Sequence, residues 1–87
     1  MENKIRKFLK NVVAKEILSF FHQNQTSVDS VGGISVWVNE DREEVKRILE
    51  EMVSFGILET DSTEIARGYC YTRDDKIMRI IDKIMNK

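Results

Sequence analysis

Apolar residues recur along the chain at helical spacing in three long stretches. Residues 3–24 carry Ile5, Phe8, Leu9, Val12, Val13, Ile17, Leu18, Phe20 and Phe21, which predicts one long helix. On a helical wheel the stripe of its first half is centred about 140° from that of its second half. The two halves therefore face different surroundings: either the helix is sunk in the core and apolar nearly all round, or, as the leading reading has it, Val13 to Phe21 face the domain and Ile5 to Val12 a partner. Residues 41–54 carry Val45, Ile48, Leu49, Met52 and Val53, followed at once by Gly56 and then by Ile57 and Leu58, so this helix stops at a glycine and leads into a strand. Residues 74–86 carry Ile77, Met78, Ile80, Ile81, Ile84 and Met85, an apolar arc of about 160°, wider than the roughly 100° stripe that a single core contact requires. Between these last two helices, residues 57–60 and 68–72 favour extended structure around the polar run 61–67, which predicts an antiparallel hairpin.

The segment from Val28 to Asn39 is ambiguous. Gly33 to Val38 alternates β-branched residues and by local propensity is a strand, while Gly32 and Gly33 each oppose a helix by about 1 kcal/mol. Its neighbour points the other way. If 41–54 is the second helix of a helix-turn-helix, then 30–38 is the first, with Val31, Ile34 and Val38 on one face and the small Ser35 where the two helices cross. Ser27 or Asp29, after the polar break at Gln23 to Ser27, is placed to cap that helix.

Asp29 to Val38, followed by Val45, Leu49, Met52, Gly56 and Ile57, resembles the winged helix-turn-helix domains of bacterial and archaeal transcriptional regulators. The likeness runs over about residues 12–73: an apolar and small pair (Ile34 and Ser35), a short turn, and a second helix of the form V-x-x-x-L-x-x-L-x-x-x-G-[LI]. Ser35 stands where the family usually has alanine, and Glu40 to Glu44 make the start of the second helix more acidic than is usual. The expected fold is thus mainly α with a small β-hairpin wing and extended N- and C-terminal helices, residues 1–87 forming one domain. The resemblance implies that the helix at 41–54 lies in the major groove of double-stranded DNA.

Charge modifies that expectation. The net charge of the 87 residues is −1, short of the basic excess of a strong non-specific nucleic-acid binder. Residues 1–25 sum to +3 and residues 73–87 to +2, while residues 26–72 sum to −6, so the recognition segment lies in the acidic part. Hydrophobic residues at 41% and charged residues at 33% fit a globular chain and neither a membrane protein nor a disordered one. With no apolar run of signal or spanning length, a cytoplasmic location is expected.

Little in the sequence carries catalytic chemistry, and no enzyme, metal or cofactor is expected. His22, the single histidine, and Cys70, the single cysteine, do not make a metal-ligand or triad spacing. His22 is expected to end the first helix, and Cys70 to be a small core residue on the opposite face from Tyr69 and Tyr71. The DNA-contact candidates are Arg42, Lys46 and Arg47 on the second helix, Arg67 near the hairpin tip and Arg73 at its exit. Against them stand helical pairs of Glu43 with Lys46 and with Arg47, which would partly occupy those cations. Trp37 is expected half-buried against the first helix or the hairpin, with a role as an interface anchor as the sharper option.

The terminal segments 1–12 and 74–87 are expected to form a homodimer seam through Ile5, Phe8, Leu9, Val12, Ile77, Ile80, Ile81 and Ile84. The leading expectation is a homodimeric DNA-binding transcriptional regulator. The alternative is a protein-protein interaction or assembly module on the same fold without DNA binding.

Overall fold

The computed structural model describes residues 1–62 and 67–86. Its secondary structure is mainly helical, with a small three-stranded antiparallel sheet.

The expected single helix over 3–24 is two helices, α1 (Glu2–Phe8) and α2 (Val12–Gln23). Asn11 separates them: its side-chain oxygen accepts from the backbone N–H of Val13 at 2.9 Å and of Ala14 at 3.1 Å, satisfying two of the donors that a helix start leaves open. The jump in the apolar stripe is thus a change of helix axis. It does not mark a second binding face, because Ile5 of α1 is fully buried in the same core as Ile17, Leu18 and Phe21 of α2.

Between α2 and the next helix lies β1 (Val28–Asp29), a strand the sequence does not announce. Ser30, rather than Ser27 or Asp29, caps α3 (Val31–Val38), accepting from the N–H of Gly33 at 3.1 Å. The Gly33 to Val38 segment is therefore helical, against its local preference, because Ile34 and Val38 are buried and Ser35 is only 6% exposed. The Ser35 hydroxyl donates to the carbonyl of Val31 at 2.7 Å, so this buried polar group is satisfied within its own helix. Asn39 leaves α3 in the left-handed region at φ 57°, a conformation Asn tolerates better than most residues.

The fourth helix, α4 (Arg42–Phe55), begins at Asp41, whose carboxylate accepts from the N–H groups of Glu43 and Glu44. It ends at Gly56 with φ 81°, where the Ile57 N–H donates to the Met52 carbonyl at 2.9 Å, a left-handed helix stop that glycine makes without strain. Val45, Ile48, Leu49 and Met52 are all fully buried. The chain continues into β2 (Leu58–Ser62) and returns as β3 (Arg67–Tyr71). The sheet order is β1-β3-β2, with Val28 opposite Cys70, Leu58 opposite Tyr71 and Ser62 opposite Arg67. The hairpin ladder is longer than expected; of the 61–67 stretch read as its loop, residues 63–66 lie outside the described residues.

Alternation along β3 holds, with the opposite consequence for the cysteine. Tyr69 and Tyr71 are buried, and Cys70 is half-buried on the outer face, its Sγ 3.6 Å from the Glu59 carbonyl oxygen. Cys70 is therefore not a core residue; two large rings fill the space beneath the sheet. Burial, together with the nearby Asp82, pushes the Tyr71 phenol up to about 12. Its hydroxyl lies 3.2 Å from Nδ1 of His22 in the last turn of α2.

Helix α5 (Asp75–Met85), capped by Asp74, closes the core with Ile77 and Ile81. Lys83 of α5 reaches Glu2 of α1 at 3.4 Å, so the terminal helices meet within one chain. Four of the eight expected seam residues thus lie in the chain's own core. Ile5, Leu9, Ile77 and Ile81 are core residues of a single chain; Phe8, Ile80 and Ile84 are half-buried against that core, with the Phe8 ring 5.2 Å from that of Phe55. Val12 alone among the expected seam residues is well exposed, at 69%. The wide apolar arc of α5 is wide because it covers a small core from outside.

Candidate nucleic-acid interface

The α3–α4 crossing brings the start of α4 beside the start of α3, with β3 on the other side. An open groove of about 510 Å³ lies there, walled by the cap Ser30 and by Gly32 of α3, by Arg42, Glu43 and Lys46 of α4, and by Arg67 and Tyr69 of β3, among others. Arg42 and Lys46, four residues apart, lie on the outward face left by the buried Val45, Ile48, Leu49 and Met52. They have no hydrogen-bond or ion-pair partner among the described residues. A Cβ at Gly32 would make only ordinary contact here, 3.8 Å from the Arg42 guanidinium carbon.

Arg47 is engaged differently from the expectation. Its guanidinium donates to Glu44 at 2.5 Å and to Glu51 at 2.8 Å, so the partners are Glu44 and Glu51 and not Glu43. The hydrogen bond to Glu44 leads in raising its pKa. This network is exposed on α4's surface, where such pairs contribute little and exchange readily.

Arg67 is paired across elements. It reaches across from β3 to donate through Nε and Nη2 to both carboxylate oxygens of Glu50, at 2.9 and 3.1 Å. Its guanidinium also lies 5.5 Å from the centre of the Tyr69 ring, and the Tyr69 hydroxyl donates to the same Glu50 carboxylate. The Tyr69 hydrogen bond, followed by Arg67, holds the Glu50 carboxyl below the ordinary carboxylate range, while burial and then Glu50 push the Tyr69 phenol up. Glu50 is the residue that sequence reasoning missed, because with Glu51 it looks like part of a solvated helix face and its partner is 17 residues away.

Glu50→Gln is expected to loosen the join between α4 and β3 by up to about 1 kcal/mol at neutral pH, since the pair is open to solvent. With its folded-state pKa depressed below 4.5, Glu50 contributes this stability in full above its unfolded value and loses it as pH falls through the folded one. Denaturant unfolding of the two proteins should therefore differ at pH 7 and converge in acid. A difference that persists in acid would assign the effect to something other than the carboxylate.

Arg73 is not part of this group. It follows β3 at the far end from Arg67, its backbone N–H donates to Glu59 at 2.8 Å, and it lines a separate depression beside Glu59, Asp61 and Cys70. Trp37 is more exposed than expected, at 55%, with its ring edge-on to Phe20 of α2 at 4.7 Å. Among the described residues no group of three or more His, Cys, Asp or Glu side chains is arranged to hold a metal ion, and no helix there is long and apolar enough to cross a membrane. A scan against protein-family models gives no match to this chain, and neither does a search of curated proteins.

Proposed function

We propose that this chain is a winged helix-turn-helix DNA-binding protein, acting as a transcriptional regulator, with the first turns of α4 in the major groove. The order α2, β1, α3, α4, β2, β3, with the short β1 paired to the returning hairpin strand, supports the fold, and the hairpin is then the wing. The observation that carries the function is the convergence of Arg42, Lys46 and Arg67 from two elements on one open groove, with Arg42 and Lys46 unengaged among the described residues. Two cations four residues apart on an outward helix face reach base edges or phosphates from one docking pose. Arg47 and Arg67 join them by exchanging carboxylates for phosphates.

Two to four phosphate contacts per copy give a log–log salt slope of about −2 to −4. Fluorescence anisotropy of short random-sequence duplexes should therefore show binding at low salt that weakens steeply as salt is raised. No binding at low salt would overturn the proposal. Glu50→Gln provides an internal check: it removes a negative charge from the interface and releases Arg67, so binding should tighten several-fold and the slope should steepen by about one.

A protein-interaction module is the second reading, and one observation favours it. Four carboxylates on α4, Glu43, Glu44, Glu50 and Glu51, outnumber its three cations, and Glu44, Glu50 and Glu51 already hold Arg47 and Arg67. On that reading Glu50→Gln leaves DNA affinity at background.

A further inference from the structure

We infer that the groove between α2 and Trp37 of α3 receives a segment of another protein in which carboxylates flank large apolar side chains. The inference does not rest on DNA binding by α4, because this groove shares no lining residue with the one at Arg42 and Lys46. It has a volume of about 780 Å³, with Leu9, Val12 and Trp37 as its apolar wall and Lys10, Lys15 and Glu16 as its charged rim. The Trp37 ring is braced by the buried Phe20, the two ring centres lying 4.7 Å apart in an edge-on contact. Trp37 and Val12 are nonetheless both exposed. A braced indole beside an open aliphatic in a concave cleft is suited to a large apolar side chain.

Charge selects the occupant. Lys10 and Lys15 are exposed and form no ion pair among the described residues, so the rim is net positive against the single Glu16. The same sign extends past the groove. A second depression shares Leu9 and Lys15 with it and adds Arg6, Ile84 and Met85, and there one carboxylate, Glu2, answers both Arg6 and Lys83. Over residues 1–16 five cations stand against two carboxylates. Helix α2 starts at Val12, on the groove, and its first turn holds no acidic side chain, so the positive end of the helix dipole adds to the field of the two lysines. A basic partner is opposed by all of these features. A bare phosphate chain leaves Leu9, Val12 and Trp37 uncovered, and a flat lipid surface does not enter a cleft. An acidic and apolar segment answers both halves of the surface, its carboxylates on Lys10 and Lys15 and its apolar side chains against Trp37 and Val12, in the manner of a helix laid in a groove.

Selection of random displayed peptides against the full chain should enrich sequences with Asp or Glu beside Leu or Phe. An enriched peptide lacking tryptophan, made with a fluorescent label, should bind and shift the emission of Trp37, the chain's single tryptophan, to the blue. Lys10→Glu with Lys15→Glu should weaken that peptide at least about tenfold through like-charge contact, and Glu16→Gln should tighten it. Val12→Glu, at an exposed position in the first turn of α2 where a carboxylate suits the helix dipole, should keep the circular dichroism and abolish peptide binding. Failure to enrich any peptide, or enrichment of basic or uncharged ones, overturns the inference. So does a peptide unmoved by the lysine reversals or by Val12→Glu, or a Trp37 emission that does not shift. Displacement of the peptide by duplex DNA, or by vesicles of phosphatidylserine and phosphatidylcholine, also overturns it and assigns the groove to nucleic acid or to membrane.

Discussion

Under the DNA-binding proposal, replacing Arg42 and Lys46 together by alanine is expected to lower affinity for duplex DNA by about 30- to 1,000-fold at low salt, with the thermal midpoint unchanged. The magnitude follows from two contacts taken at about 1–2 kcal/mol each, the lower part of the range for a cation that reads a base edge. The unchanged midpoint follows from position: both side chains are exposed and neither holds another element in place among the described residues. Anisotropy titrations at several salt concentrations separate the roles. Removing a cation that meets a phosphate reduces the salt slope by about one and weakens all sequences alike, whereas removing one that reads a base flattens the preference among duplexes. Arg47→Ala should have a smaller effect, because part of its charge is already answered by Glu44 and Glu51. If Arg47→Ala proves as damaging as the double substitution, the docking pose along α4 is different from the one proposed.

The parts of this protein that are legible in the sequence are those that local chemistry decides. Helix α4 is framed by Asp41 and Gly56, with an unbroken apolar stripe between them, and the structure keeps those bounds to within a residue. Helix α3 is legible only through α4, because its β-branched residues favour a strand and only the need to bury Ile34 and Val38 in the common core overrides them. The jump in apolar phase before α2 is visible in the sequence, but its cause is the cap at Asn11, and a wheel drawn on one continuous helix turns that change of axis into a partner face. Strand β1 has two residues, too few to show a period, and its pairing with β3 spans some 40 positions, so no local pattern predicts it. The site divides in the same way. Helical periodicity shows which cations of α4 point outward, since it needs only the core stripe. Which carboxylates hold Arg47 and Arg67 depends on rotamers and on contacts across the sheet, and Glu50 meeting both Arg67 and Tyr69 belongs to that second kind.

The glycines sharpen the distinction between local and tertiary causes, and they set the second large effect. In the sequence Gly32 and Gly33 attract notice, because they interrupt a helix; yet a Cβ there would meet side-chain atoms no nearer than 3.8 and 3.5 Å, ordinary contact. Gly68, unremarkable in the sequence, stands where β3 runs between its two partners: a Cβ there would lie 2.7 Å from Cγ1 of Val28 and 2.8 Å from the backbone oxygen of Asp61. Its φ is not positive, so space, not backbone freedom, requires glycine. Gly68→Ala is therefore expected to destabilise the fold by about 1–3 kcal/mol, a fall in thermal midpoint of roughly 4–24 °C for a chain of this size. Adding Val28→Ala should recover part of the loss, because Val28 is 51% exposed and trimming it removes one clash at little cost, but the clash with the Asp61 backbone remains. An unchanged midpoint for Gly68→Ala would mean that β3 is not enclosed by Val28 and Asp61 as described. Under the DNA-binding proposal the same substitution should also weaken binding, because Arg67 is next to Gly68 and would be shifted from the groove it lines with Arg42 and Lys46, while Gly33→Ala should leave binding intact and raise the midpoint slightly through helix propensity.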